Sequence, residues 1–464
     1  MIKVNHEYQV CCKQSKYSSF VDDSAHYSYI YPLKPHDMKL SNILFFSAFL
    51  MGSFLHASAQ SFETWFGEGT MRVDLVFTGT ADQGTYAFAG IKKEPFYSGS
   101  RKMLLDPFDY GDHKLVVKDP ESGLKIYSQT YCTLFREWQT TTEAETLKRA
   151  FPHVVRFPWP KAPVQVEIYD RQKDGEFELN WTEIIDPQSI FADPTPARRF
   201  ETLDLEINGP PDQKVDLLFL AEGYTAEEMD KFLADVKRSI GFIFTEEPFK
   251  SNRESFNIRA VKSFSEDSGT DIPGQGIWKS TVMNSNFYTF GIERYMTTLD
   301  YKAVCDVAAS AHYDQIYILV NTQKYGGGGM YNMYAISAAD NEQSQAVVVH
   351  EFGHAFAGLA DEYYNSEVAY NDFFNLEVEP WNPNLTTLVN FSNKWADLIG
   401  NDVPVPTPAE DQYLETVGVY EGGGYVAKGV YRPMIDCLMH SNDAPFCPVC
   451  QRAILQMIKR YTAL

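Results

Sequence analysis

The segment His350-Glu-Phe-Gly-His354 has the residue types and the spacing of a metal-dependent hydrolytic site. On a helix, side chains four residues apart share one face and lie about 6 Å apart along the axis. Both imidazoles can therefore reach one zinc ion at roughly 2 Å. Glu351 then projects beside the metal, where its carboxylate can serve as general base for a zinc-bound water. The segment predicts zinc-dependent hydrolysis.

A catalytic zinc takes three protein ligands and keeps its fourth position for water, so a third ligand is needed. On a straight helix Asp361 would lie on the His350 side but about 10 Å beyond His354 along the axis. The helix must therefore end, and Gly358 stands where a left-handed turn would fold the chain back. Asp361 is the first candidate ligand and Glu362 the second. The alternative is a loop after the helix with solvated carboxylates.

Strands and helices alternate after residue 205, and these elements must position the histidines. Residues 215–220 form a near-continuous apolar run, which is typical of a strand buried on both faces. Further strands are predicted at 257–264, 315–321 and 333–337. The glycine run 326–329 predicts a flexible loop, because no Gly-Lys-Ser/Thr follows to form a phosphate cradle. The last strand, 333–337, is expected to offer its edge to an extended peptide.

The region before residue 185 has a different pattern, with short alternating strands separated by turn residues. Alternation with period two predicts an antiparallel β-sandwich over residues 60–185. Residues 186–204 contain several prolines and predict a linker, and residues 205–464 form the predicted catalytic domain. The expected fold class is α+β, with the sandwich followed by a mixed sheet and the histidine-bearing helix.

The first 59 residues have the features of an export signal. Lys39 precedes the apolar run 43–55, and Ala57-Ser-Ala59 is a small-x-small cleavage site, so residues 38–59 predict a signal peptide. Residues 1–37 are then an upstream, disordered extension, with translation starting at Met38. A membrane anchor is the alternative, but a span needs about 20 apolar residues. We expect an exported chain, periplasmic, surface-associated or secreted, with no stable membrane span.

Three cysteines near the carboxyl end, Cys437, Cys447 and Cys450, are close enough in sequence to act together. Export favours a disulfide from Cys437 to either of the other two. Together with His440 the three cysteines provide four possible ligands, the number found in a structural zinc knuckle. Free thiols are the third possibility. The disulfide is the expected form, so only one zinc ion, the catalytic one, is expected.

Several segments resemble the IgA peptidase family of zinc metallopeptidases. The stretch 350–363 is similar to that family's active-site segment, and 217–224, 265–273, 421–425, 431–433 and 446–450 also resemble it. The β-rich region resembles the module that precedes the catalytic domain in many members. The resemblance covers most of residues 205–460 and implies an exported zinc endopeptidase. It does not imply that IgA is the substrate, since substrate choice lies in loops.

The order of two histidines, a glycine turn and a third ligand also resembles that of the metzincin peptidases, although this chain has one extra residue between His354 and Gly358. In metzincins a methionine turn underlies the metal. Met439 is the candidate for that turn, and ordinary core packing is its alternative.

The expected mechanism uses zinc held by the two histidines and Asp361 to lower the pKa of a bound water. Glu351 takes the proton, hydroxide attacks a peptide carbonyl, and Glu351 then protonates the leaving amine. Tyr431 and Tyr363 are candidate donors to the oxyanion, with ordinary packed tyrosines as the alternative.

Charge excludes one class of partner. The chain carries 62 acidic and 40 basic residues, for a net charge of −22. Its sequence has no cluster of Lys and Arg of the kind that binds the phosphates of nucleic acids. A protein or glycoprotein substrate is expected and nucleic acid is not. Two other functions remain open: a binding protein that uses the β-sandwich to engage a host glycan or protein, and a zinc hydrolase acting on glycopeptides or peptidoglycan cross-links.

Overall fold

The computed structural model describes residues 61–195, 199–364 and 374–462. The described residues all belong to one compact unit. The predicted extension 1–37 and signal peptide 38–59 lie outside the described residues. Within the described ranges, no helix combines the length and the apolar character needed to cross a membrane.

The strands and α-helices are numbered in chain order. The strands are β1 Phe66–Gly79, β2 Gly84–Glu94, β3 His113–Lys118, β4 Lys125–Tyr131, β5 Arg149–Pro160, β6 Val164–Arg171, β7 Phe177–Ile185, β8 Ala192–Asp193, β9 Thr202–Glu206, β10 Val215–Glu222, β11 Phe256–Val261, β12 Gln315–Val320, β13 Gly327–Met330, β14 Tyr334–Ala338, β15 Tyr420–Gly423 and β16 Val426–Arg432. The helices are α1 Phe62–Trp65, α2 Leu134–Trp138, α3 Met229–Ile243, α4 Tyr301–Ala308, α5 Ser344–Ala357 and α6 Pro448–Thr462.

Two four-stranded sheets form the first part of the described chain. Their strand orders are β5-β1-β2-β8 and β4-β3-β6-β7, and every pair is antiparallel except β2 with the short β8. Alternate residues of both sheets enter one hydrophobic cluster, for example Val73 and Leu75 from β1 and Leu115 and Val117 from β3. This shared core explains the period-two pattern of the sequence.

A six-stranded mixed sheet forms the centre of the second part, in the order β13-β14-β12-β10-β11-β9. The four inner strands are parallel, and the two edge strands run antiparallel to them. Leu217 and Phe219 of β10 face a cluster with α3, α5 and α6, whereas Leu218 and Leu220 face a cluster with α4. The predicted burial of this strand on both faces is confirmed, as is the mixed helix and strand content of an α+β protein.

Two predictions about the strands before the histidines are wrong. The glycine run is not a loop, because Gly327–Met330 pairs with Tyr334–Ala338 as an antiparallel strand. The strand predicted at 333–337 therefore lies between two others and has no free edge, and β13 is the edge strand. Propensity could not reveal β13, since glycine is depleted in strands and its use here depends on packing against α5.

Replacing Phe352 with Ala tests how strongly the core holds helix α5. Phe352 is fully buried, with ring centroids 5.2 Å from those of Phe249 and Phe356. We expect Phe352→Ala to lower the free energy of unfolding by about 3–5 kcal/mol in urea titration, because it leaves a cavity. The matched change Phe191→Ala, at a side chain that is 79% exposed, should cost about 0.5 kcal/mol or less. Equal losses in both variants would contradict this packing.

Candidate metal centre

Helix α5 packs one side into the core and carries the two histidines on its other side. Val348, Phe352 and Phe356 are fully buried, while the His350 and His354 side chains are 13% and 14% exposed. Their ring centroids lie 4.6 Å apart, as expected for positions one helical turn apart. The helix thus presents both imidazoles together, as predicted.

A left-handed residue ends this helix and reverses the chain. Gly358 has φ +64°, and its N–H donates to the carbonyl of His354 at 3.0 Å. The turn brings Asp361 back, with its Oδ1 3.0 Å from Nε2 of His350 and 3.4 Å from Nε2 of His354. The predicted turn at Gly358 is confirmed, and Asp361 is placed with the histidines.

Hydrogen bonds orient both imidazoles toward one point. Nδ1 of His350 lies 2.9 Å from the carbonyl oxygen of Leu438, and Nδ1 of His354 lies 2.6 Å from that of Leu359. A carbonyl oxygen only accepts, so each Nδ1 carries a proton, and each Nε2 offers a lone pair when its imidazole is neutral, the form that binds a metal. The two Nε2 atoms lie 2.9 Å apart and face the Asp361 carboxylate. Three converging acceptors fit a bound cation, and imidazole with carboxylate is a ligand set that suits zinc.

Electrostatics also favours a cation at this point. Burial alone would lower the pKa of His354, but the Asp361 carboxylate raises it to about 9. Although burial acts in the opposite direction, the two imidazoles hold the pKa of Asp361 far below its ordinary value. Asp361 is therefore ionised at neutral pH. Burial raises the pKa of the neighbouring Glu351 carboxyl, which suits a group that must exchange protons.

Tyr425 holds the carboxylate of Asp361 from behind. Its hydroxyl donates to Oδ2, which leaves Oδ1 to face the histidines. The backbone of the same segment is attached as well, because Gly424 N–H donates to the carbonyl of Asp361 at 2.9 Å. The ring of Tyr363 packs edge-on against Tyr425, with centroids 5.2 Å apart. The sequence assigned no role to Tyr425, and its only signal was its place in the family-like stretch 421–425.

Met439 lies directly under the centre of the histidine segment. It is fully buried, and its sulfur is 3.2 Å from the position that a Cβ on Gly353 would take. Its carbonyl oxygen accepts from the N–H of Glu362 at 2.7 Å, next to the Leu438 carbonyl that orients His350. The placement is that expected of the predicted methionine turn, and its role stays a prediction.

A cleft of about 1140 Å³ opens at the three converging side chains. Glu351 and Tyr363 line it, together with Arg136 and Arg171 from the first part of the chain. Tyr431 instead packs from β16 against the main hydrophobic cluster, and its backbone pairs with Thr386. Tyr363 thus lines the cleft and Tyr431 is not among the described residues that line it, and the oxyanion role of each stays a prediction.

Glu362 and the three clustered cysteines form a separate group. The carboxylate of Glu362 lies among the sulfurs of Cys437, Cys447 and Cys450, so Glu362 does not join the histidines as the alternative third ligand. All three cysteines are free thiols, and Sγ of Cys437 is 3.7 Å from Sγ of Cys450. The expected disulfide is therefore not formed in this structure, since a disulfide needs about 2.05 Å. His440 is not a member either and lines the cleft.

Close approach to helix α5 explains the glycines of β13. A Cβ on Gly327 would lie 2.7 Å from Oε1 of Glu351, and one on Gly329 would lie 2.4 Å from the carbonyl oxygen of Glu351. The contact at Gly329 is with backbone, so only glycine lets the strand lie this close to the helix there, whereas at Gly327 the Glu351 side chain would have to shift. The edge strand thus sets the position of the Glu351 carboxylate.

Two imidazoles, a carboxylate and an adjacent glutamate in a cleft define a metal-dependent hydrolytic site. Comparison with known families gives the same class. Residues 203–415 and 409–458 match the family described as IgA Peptidase M64, and residues 61–182 match that described as Peptidase M64 N-terminus. The chain belongs to the IgA peptidase M64 family and is a metallopeptidase. A search of curated proteins gave no significant match.

Gly327→Ala tests the positioning of Glu351. The added methyl group would displace the carboxylate without touching the three converging side chains, so metal content should be retained. We expect peptidase kcat to fall by about 10²-fold, the cost of an ångström-scale misplacement. Gly90→Ala is the matched control, because it also lies in a strand and no atom of the described residues lies within 4 Å of its added Cβ. Equal kcat for the two variants would contradict this role of β13.

Proposed function

We propose that this protein is an exported, zinc-dependent endopeptidase that hydrolyses peptide bonds within protein substrates. Membership of a metallopeptidase family supports the reaction class. The observation that carries the proposal is the convergence of His350, His354 and Asp361 within 4.8 Å of one another, in a cleft that Glu351 also lines. The signal-like sequence 38–59 supports export.

The protein groups have separate roles in the proposed reaction. A zinc ion held by His350, His354 and Asp361 would acidify water and polarise a peptide carbonyl. Glu351 accepts the proton of the attacking water and delivers it to the leaving amine. Burial raises the pKa of Glu351, which suits a group that takes up a proton and returns it. Tyr363 lines the cleft from the side of the third ligand and is the proposed donor to the oxyanion.

The substrate is proposed to lie along the edge strand β13. Its residues Gly327–Met330 line the cleft beside Glu351. An edge strand can pair with an extended peptide through backbone hydrogen bonds, here beyond Gly327, whose carbonyl already accepts from Met296 N–H at 3.2 Å. The first part of the chain contributes Arg136 and Arg171 to the wall of the same cleft. We propose that the two N-terminal sheets are a β-sandwich that supports substrate binding at this wall.

Glu351→Gln tests the general base. Glutamine keeps the shape but cannot accept a proton, so we expect kcat to fall by about 10²–10⁴-fold while zinc is retained. The measurement is proteome-wide identification of new peptide termini, with zinc content determined on the same samples. Wild-type activity in a zinc-loaded Glu351→Gln variant would refute the mechanism. No cleavage by zinc-loaded wild type would favour a binding protein or a narrow glycopeptide substrate.

His354→Ala tests the metal ligands. Loss of one of three ligands should abolish peptidase activity and remove the zinc ion from this centre, because catalytic sites have no spare protein ligand. Zinc content by elemental mass spectrometry, before and after dialysis against a chelator, checks the result. Full activity in His354→Ala, or in wild-type protein from which dialysis has removed the zinc, would show that the converging side chains do not hold a catalytic metal.

A further inference from the structure

A second group of metal-ligand atoms lies behind the candidate active site. Glu362, Cys437, Cys447 and Cys450, here called the Cys3Glu cluster, are all buried. One ligand atom from each lies within 4.8 Å of the other three. The cluster uses none of the side chains that line the proposed catalytic centre, so it needs a separate explanation.

The interatomic distances match a tetrahedral zinc site. Ligands at about 2.3 Å for sulfur and about 2.0 Å for oxygen place two sulfurs roughly 3.8 Å apart and sulfur and oxygen roughly 3.5 Å apart. Sγ of Cys437 and Cys450 are 3.7 Å apart, and Sγ of Cys450 is 3.3 Å from Oε1 of Glu362. These two pairs are therefore spaced as ligands of one ion, and all four ligand atoms lie within 4.8 Å of one another.

The Glu362 carboxylate lacks the partners that burial requires. Oε1 accepts from Nδ2 of Asn384 at 2.9 Å, but Oε2 has no hydrogen-bond partner among the described residues although it is buried. An unpaired carboxylate oxygen inside a protein costs free energy unless a hydrogen bond or a metal compensates. A cation at the centre of the cluster would supply that partner.

Backbone groups around the cysteines favour negatively charged sulfur. Cys447 N–H lies 3.3 Å from Sγ of Cys437, and Cys450 N–H lies 3.4 Å from Sγ of Cys447. Cys447 directly precedes helix α6, and Cys450 lies in its first turn, where the helix dipole stabilises thiolates. The Cys-x2-Cys spacing is also common in structural zinc sites.

We propose that Glu362, Cys437, Cys447 and Cys450 bind a second zinc ion in a closed, structural site. Four protein ligands leave no position for water, so this ion takes no part in hydrolysis. This zinc site takes the place of the expected disulfide and also of the zinc knuckle that would have included His440. Nδ1 of His440 instead lies 3.3 Å from Oδ1 of Asp436.

The second ion would fix two segments of the active site relative to each other. Glu362 directly follows Asp361, and Cys437 belongs to the segment that supplies the carbonyl groups of Leu438 and Met439. These segments are joined by the hydrogen bond from Glu362 N–H to Met439 O at 2.7 Å. A metal bound to both segments would hold the carboxylate of Asp361 in place beside the imidazole of His350.

Metal content and cobalt spectroscopy test the second site. Wild-type protein, purified without added reductant, should contain about two zinc ions per chain, and Cys437→Ser or Glu362→Gln about one. After replacement of zinc by cobalt, thiolate-to-cobalt charge-transfer bands should appear in wild type and in His354→Ala. They should be absent in Cys437→Ser, because the histidine centre has no sulfur ligand. His440→Ala is the control and should change neither measurement.

One zinc per wild-type chain together with a disulfide from Cys437, found by mass spectrometry of the alkylated, unreduced protein, would overturn the proposal. The absence of charge-transfer bands in cobalt-loaded wild-type protein would also overturn the proposal. This test does not depend on whether the cysteine variants fold. The outcome is independent of the proposed peptidase function, because charge-transfer bands in inactive His354→Ala support this site whether or not any substrate is cleaved.

Discussion

The candidate active site depends on a reversal of the chain directly after helix α5. The helix can place His350 and His354 on one face, but no straight continuation could bring a third side chain to the same point. Gly358, with φ +64°, makes the reversal at little cost, and Asp361 returns to within 3.0 Å of His350. The hydroxyl of Tyr425 then fixes the carboxylate.

The remaining contacts around the site serve to hold this reversed segment and the helix together. The carbonyl groups of Leu438 and Met439 accept from His350 and from the backbone of Glu362, so one short segment orients both a candidate ligand and the loop that carries another. Strand β13 closes the other side, where glycines allow the backbone to lie against Glu351. The Cys3Glu cluster lies where these segments meet, which is why a metal there would stabilise the whole arrangement.

The sequence predicted the features that depend on neighbouring residues. The spacing of the histidines, the turn at Gly358 and the buried strand β10 follow from local periodicity and from the conformational freedom of glycine. It failed where distant segments decide the outcome. Strand β13 has no β-propensity and exists because of its packing on α5. Glu362 joins cysteines far along the chain, and Tyr425 reaches Asp361 only in the folded protein.

Zinc-edge anomalous diffraction from crystals of the active protein would test the proposed catalytic centre most directly. The geometry predicts an anomalous peak at about 2.0–2.2 Å from Nε2 of His350, Nε2 of His354 and a carboxylate oxygen of Asp361. A metal bound to the two histidines with Asp361 turned away, or an active crystal without a peak at this position, would contradict it.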